Sequence, residues 1–332
     1  MNLLILVLSF LVAFAWGKPT IQDVFHLKTG NTKGGCDNRL SLLNTWFDEV
    51  KDMAQAGLQA FTDAGNGNKI AAGTLSQFLG ITSKTSANEF KDVKAFLEEV
   101  HEFYQQGLDF QSGTPWLFCG SGWLERKERD DYSQDSDGDI KHEPVDCGDG
   151  DMELEPVEIQ NDPAYTADLW QYVFEEDYRG RGYCSFTNSL AGTQTNTKPT
   201  AIDLCPKAFN NPKGAQSLGS RAPTKDLPDI LPRSATLFHE TFHLVHGNAD
   251  APDASYDIST LLKALEYPKR IPKSTNLDSP NDKKHNPNSD KLTNLDLVRR
   301  NPETWVYLCV SYWHTIHRRF YFPNGEKGTP IL

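Results

Sequence analysis

Two long stretches of this chain repeat large apolar residues every three or four positions, and that period commits the fold to helices. Over 38–62 the series is Leu40, Leu43, Trp46, Phe47, Val50, Met53, Ala54, Leu58 and Phe61. Over 88–108 it is Phe90, Val93, Phe96, Leu97, Val100, Phe103 and Tyr104. A third helix is expected from about Pro232 to His246, with proline suited to its first turn and Gly247 past its end. Residues 257–266 and 291–320 are expected to add more, after a Gly-, Pro- and Asn-rich loop at 207–229 and around a polar linker at 268–290. Strand signals are short. Residues 114–124 predict a strand and turn, and 180–206 predict strands joined by a polar loop, Gly182–Phe186 leading in and Thr200–Cys205 leading out. The fold class is therefore α+β, mainly helical, with a small sheet and no internal repeat.

The first 15 residues are apolar and end in Ala13-Phe14-Ala15, a small-x-small cleavage pattern. A membrane-spanning helix needs about 20 apolar residues, so residues 1–17 are expected to be a secretory signal peptide rather than a retained anchor. No Lys or Arg precedes the run, which departs from the usual pattern. The remainder, 18–332, is expected to be one secreted, extracellular, monomeric domain that leaves the membrane once the signal is removed. Six cysteines suit that compartment: Cys36, Cys119, Cys147, Cys184, Cys205 and Cys309. Up to three disulfides are expected, with Cys184–Cys205 clamping the loop between the predicted strands.

The net charge of −12 is local. Between Asp130 and Asp162 there are 13 acidic residues and one basic residue, and the rest of the chain is neutral. Residues 128–162 are expected to form an exposed acidic loop insertion. No basic stripe is present, which argues against nucleic acid as a partner.

The chemistry concentrates in Thr236–Gly247, where His239-Glu240-Thr-Phe-His243 reads H-E-x-x-H. Histidines four apart lie on one helical face, about 6 Å apart along the axis, and can grip one Zn²⁺ at about 2.0–2.1 Å. Glu240 is turned about 100° from His239, so it can take a proton from an activated water without ligating the metal. A catalytic zinc needs a third protein ligand. His246 is about 10 Å along the axis from His239, too far to share one ion, and is expected to be a supporting or surface residue. Asp250, Asp253 and Glu266 remain candidates, although Gly247 and Asp250 each stand one residue too late for a metzincin-like spacing.

These residues resemble the aspzincins, the deuterolysin-type and lysine-specific fungal metalloendopeptidases. The family pattern G-T-x-x-D-x-x-Y-G falls on Ala249–Asp257, matching at Asp253 and Tyr256 but not at Ala249, Asp250 or Asp257. Ile202–Pro206 and Asn301–Leu308 are similar to segments before and after the family's zinc helix, so the likeness spans about 180–310. It implies a zincin-like metallopeptidase fold, one Zn²⁺ per chain on His239, His243 and Asp253, and Glu240 as general base. It also implies Tyr256 as the donor to the oxyanion, and protein or peptide substrates. The competing expectation is a secreted zinc-binding, antigen-like protein that keeps the metal helix without hydrolysis.

Two weaker signals complete the reading. Asp135, Asp137 and Asp139 hint at calcium, but Ile140 stands where an EF-hand loop needs Gly. His314 and His317 are expected on a surface face, and Trp305, Tyr307, Tyr312 and Trp313 in the core.

Overall fold

The structure is a computed structural model. It describes residues 19–108, 110–126, 133–134, 140–141, 164–169, 171–173, 182–185, 188–195, 197–270 and 292–331. The expected signal peptide, Cys147, the calcium-like triplet and the linker from 271 to 290 lie outside the described residues, as does most of the acidic insertion.

The described chain is α+β and mainly helical. In order it forms α1 (Ile21–Val24), β1 (His26–Leu27), α2 (Leu40–Gly65), α3 (Lys69–Leu79), α4 (Ala87–Gln106) and β2 (Trp116–Phe118). Short strands follow: β3 (Glu125–Arg126), β4 (Ser133–Gln134), β5 (Ile140–Lys141), β6 (Ala164–Thr166) and β7 (Gln171–Val173). Then come β8 (Ala191–Gln194), β9 (Ala201–Leu204), α5 (Pro206–Phe209), α6 (Leu227–Ile230), α7 (Ala235–His246) and α8 (Ile258–Glu266). The last elements are α9 (Asn294–Arg300), α10 (Pro302–Arg318), β10 (Phe320–Tyr321) and β11 (Thr329–Pro330).

The apolar stripe of α2 is buried as its spacing predicts, with Trp46, Val50 and Met53 at 0% exposure. It packs on α3, α4 and α10. The last contact is close because α2 carries Gly57: a Cβ there would lie 2.5 Å from Cys309 Sγ in α10 and 2.6 Å from Leu97 in α4. Helix α3 was not anticipated, since Ala71, Ala72 and Gly73 dilute its apolar stripe. Its ends are nevertheless well marked. Asn68 Oδ1 accepts from the amides of Ile70 and Ala71, and Gly80 turns the chain at φ 61°.

The main sheet runs β1-β2-β9-β8, with β1, β2 and β9 parallel and β8 antiparallel at the edge. One face packs on the helical core, and α7 lies against β8 and β9. The other face carries Phe118 and Ala201 under Trp123, whose indole Nε1 donates to the buried Asp203. Burial pushes the Asp203 carboxyl well above its usual range.

Several expectations need correction. The first strand of the 180–206 region is 191–194, whereas Tyr183–Ser185 form a 3-10 turn. Cys184 must reach Cys205, and that bond carries the turn across the sheet, where the Tyr183 ring rests on Gly192. The 207–229 loop contains the one-turn helices α5 and α6. Among the described residues two disulfides form, within the expected three: Cys184–Cys205 as expected, and Cys36–Cys119, while Cys309 is a free thiol buried at the α2–α10 crossing. His314 is fully buried against Phe322 rather than on the surface, while His317 is exposed as expected. Within the acidic insertion, β4 and β5 pair as a small antiparallel ladder. Among the described residues, no helix is long and apolar enough to cross a membrane.

Candidate metal centre

Helix α7 is fixed at its start from a distance. Ser234 at its N-cap donates through Oγ to Glu49 Oε2 in α2 at 2.5 Å, and Glu49 Oε1 accepts the Leu218 amide at 3.0 Å. Gly247 at φ 78° ends the helix, and the chain returns through 248–257 beneath it. That return is held by α10. Asn301 accepts the Ala254 amide at 3.1 Å and donates to the Ser255 carbonyl at 3.0 Å, while Tyr307 donates to the Tyr256 carbonyl at 3.0 Å.

The clamp brings Asp253 to the two histidines one helical turn apart. His239 Nε2 and His243 Nε2 are 3.2 Å apart, and Asp253 Oδ1 lies 3.0 Å from the first and 3.2 Å from the second. A tetrahedral ion with bonds of about 2.0–2.1 Å sets its ligand atoms about 3.3 Å apart, so this nearly equilateral triangle fits one. Both histidines are 5% exposed. The group of His239, His243 and Asp253 could therefore hold a metal ion.

The electrostatics agree with a positive charge at the centre of the triangle. Burial works to lower the His239 pKa, but Asp253 and Glu303 outweigh it and hold the imidazole well above its ordinary value. Burial works to raise Asp253, and the two imidazoles outweigh it in turn, leaving the carboxyl well below its usual range. A bound cation would satisfy the same demand.

Glu240 is buried beside the triangle. Thr193 Oγ1 on the edge strand β8 is 2.8 Å from Glu240 Oε2 and 3.0 Å from its carbonyl oxygen, so strand and helix share one hydrogen-bonding hydroxyl. Burial raises the Glu240 carboxyl pKa, opposed by His239 and His243. Such a carboxylate is a better proton acceptor than one in water. The Tyr256 hydroxyl donates to Asp253 Oδ2 at 2.8 Å, and its ring lies nearly parallel to His239 at 5.3 Å.

The other ligand candidates stand elsewhere. Asp250 is exposed and pairs with Arg300 Nη1 at 2.9 Å, and Glu266 is exposed at the end of α8. His246 neither supports the centre nor lies on the surface. Its ring stacks on Phe96 at 3.7 Å and its Nε2 donates to the Phe96 carbonyl at 2.9 Å.

Sequence reasoning missed Glu303. It accepts from His239 Nδ1 at 3.1 Å, which leaves the Nε2 lone pair for a cation. In sequence it is only an acidic residue in the first turn of a helix. Thr193, Asn301 and Tyr307 were missed as well, each identifiable only once 191–194, 253–256 and 301–307 are brought together. Compared with protein-family models, with curated proteins and with solved structures, the chain matches none of them.

Proposed function

We propose that this protein is a secreted zinc-dependent metalloendopeptidase with a zincin-like fold that hydrolyses protein or peptide substrates as a monomer. The observation that carries the reading is the triangle of His239 Nε2, His243 Nε2 and Asp253 Oδ1, with sides of 3.0–3.2 Å, beside the buried Glu240. Two imidazoles and one carboxylate are a common donor set for catalytic zinc. Zinc, when bound, supplies Lewis acidity that activates water and polarises a carbonyl.

The chain's own residues would divide the remaining work. Glu240 accepts the proton of the attacking water and delivers it to the leaving amine, with Thr193 holding its carboxylate in place. The Tyr256 hydroxyl, already 2.8 Å from Asp253 Oδ2, donates to the oxygen that becomes negatively charged. The resemblance to the aspzincins adds support, since all five positions it assigns meet in one place. Two disulfides favour secretion into an oxidising compartment.

The test is digestion of casein by the purified protein, with and without chelator, beside Glu240→Ala. The account predicts digestion that chelation abolishes, and an alanine variant that keeps its zinc but digests nothing. A wild type that binds zinc and digests nothing at any pH would favour the zinc-binding alternative.

A further inference from the structure

A cleft of about 640 Å³ opens beside the metal centre, and its lining includes Tyr183 together with His239, Glu240 and Tyr256. Tyr183 takes no part in the triangle or in the work assigned to Glu240 and Tyr256. We propose that its hydroxyl is a substrate-binding group that holds a backbone carbonyl of the bound peptide near the bond to be cleaved. The proposal rests on the peptidase reading and adds a residue to the same site.

The ring is fixed from several sides. Its neighbour Cys184 is bonded to Cys205, the residue after β9. The Cys184 amide donates to Ser121 Oγ at 3.1 Å, and Gly182 packs so closely on that serine that a Cβ there would lie 2.2 Å from the same oxygen. Beneath the ring, Gly192 of β8 leaves the space it occupies, since a Cβ at that position would lie 3.0 Å from three ring atoms. Gly192 directly precedes Thr193, whose hydroxyl is 2.8 Å from Glu240 Oε2. The same edge strand therefore seats the Tyr183 ring and steadies Glu240.

The phenol lies within reach of the charges at the metal centre. Burial pushes its pKa up, Glu240 pushes the same way and Asp253 adds to the rise, against a hydrogen bond with the Ser189 side chain. Burial, Asp253 and Glu240 likewise raise Tyr256, and Tyr183 contributes to that rise. Tyr183 therefore stays protonated. A protonated phenol has one hydrogen to donate and lone pairs to accept with, so a bond with Ser189 leaves capacity for a second. Ser189 lines the cleft as well and orients the phenol there. A peptide crossing the centre presents carbonyl oxygens on both sides of the cut, and a protonated phenol is a suitable donor to them. The two phenols differ in placement. Tyr256 bonds to the ligand Asp253 itself and is placed for the reacting carbonyl, whereas Tyr183 stands on the wall over β8 and is placed for a carbonyl further along the peptide.

The experiment is steady-state kinetics of the zinc-loaded full chain and of Tyr183→Phe on a peptide cleaved at one bond, with zinc content and thermal unfolding measured in parallel. Phenylalanine fills the same seat over Gly192, so zinc content and unfolding should not change. KM should rise about three- to tenfold, the range for one lost hydrogen bond, and kcat should stay within about twofold, because the bond is made on binding and kept through the reaction. A matching peptide series replaces one backbone carbonyl near the cut at a time with a thiocarbonyl, a poorer acceptor. One of these replacements should raise KM for the wild type and leave it unchanged for Tyr183→Phe. Wild-type KM in the variant, a loss that falls on kcat alone, loss of zinc, or a thiocarbonyl series that affects both proteins alike would overturn the assignment while leaving the peptidase reading intact. Zinc uptake by the wild type without any cleavage would overturn that reading and this assignment with it.

Discussion

His239 uses its two ring nitrogens for different purposes: Nε2 faces His243 and Asp253, while Nδ1 donates to Glu303. Removing such a partner typically weakens metal affinity about 10- to 100-fold. Glu303→Ala should therefore lose zinc affinity within that range in a competition titration, and Glu303→Gln should lose less. Unchanged affinity in the alanine variant would remove Glu303 from the account. A second residue-scale prediction concerns two histidines outside the centre. Burial pushes both His246 and His314 down to about 4 from an ordinary value near 6.5. Their folded pKa values lie below the unfolded ones, so the fold keeps them neutral while the unfolded chain takes up protons. The stability they contribute is complete above pH 6.5 and is lost as pH falls towards about 4. Each accounts for at most on the order of 3 kcal/mol. Urea unfolding between pH 7 and 4 should show this slope, and His314→Leu should flatten it; an unchanged slope would contradict the shift. At this scale the sequence is informative where function sits within one helical turn. His239, Glu240 and His243 are legible because their spacing alone sets their geometry. Glu303 is 64 residues from His239 and carries no local signature.

At the scale of elements, two close contacts hold the frame. Gly57 lets α2 approach Cys309 and Leu97, and an added methyl has nowhere to go. Gly57→Ala should therefore destabilise the protein by about 1–3 kcal/mol through overpacking, although alanine is the better helix former. A stabilised variant in thermal unfolding would contradict the packing described. The Cys184–Cys205 bond fastens the Tyr183 turn across the sheet, where its ring rests on Gly192. Replacing both cysteines with alanine should cost about 2–4 kcal/mol. Helices were legible from their apolar period, and α2, α4, α7 and α8 fall close to their expected bounds. Strands were less so. Residues 182–186 have strand-like composition, but the bond from Cys184 to Cys205 makes 183–185 a covering turn, and pairing with β9 falls instead to 191–194.

Across the whole molecule, the candidate metal centre draws on four parts of the chain. Helix α7 supplies two imidazoles, the return at 253–256 a carboxylate and a phenol, and the start of α10 the clamp that positions them. Edge strand β8 adds the hydroxyl that holds Glu240. The α+β class could be read from periodicity, whereas the sheet order β1-β2-β9-β8 could not, because it joins residues 26, 116, 201 and 191 through contacts that leave no local pattern. The third ligand stood between these cases. Asp250, Asp253 and Glu266 were open on spacing alone; the aspzincin resemblance implied Asp253, and Asn301 and Tyr307 hold the return that brings it to the histidines. The central claim is that His239, His243 and Asp253 together grip one cation, and metal analysis of the natively purified protein tests it most directly. The account predicts one zinc per chain in the wild type and in Asp250→Ala, with zinc lost in Asp253→Ala. A metal-free wild type, or an Asp253→Ala variant that retains its full zinc, would contradict it.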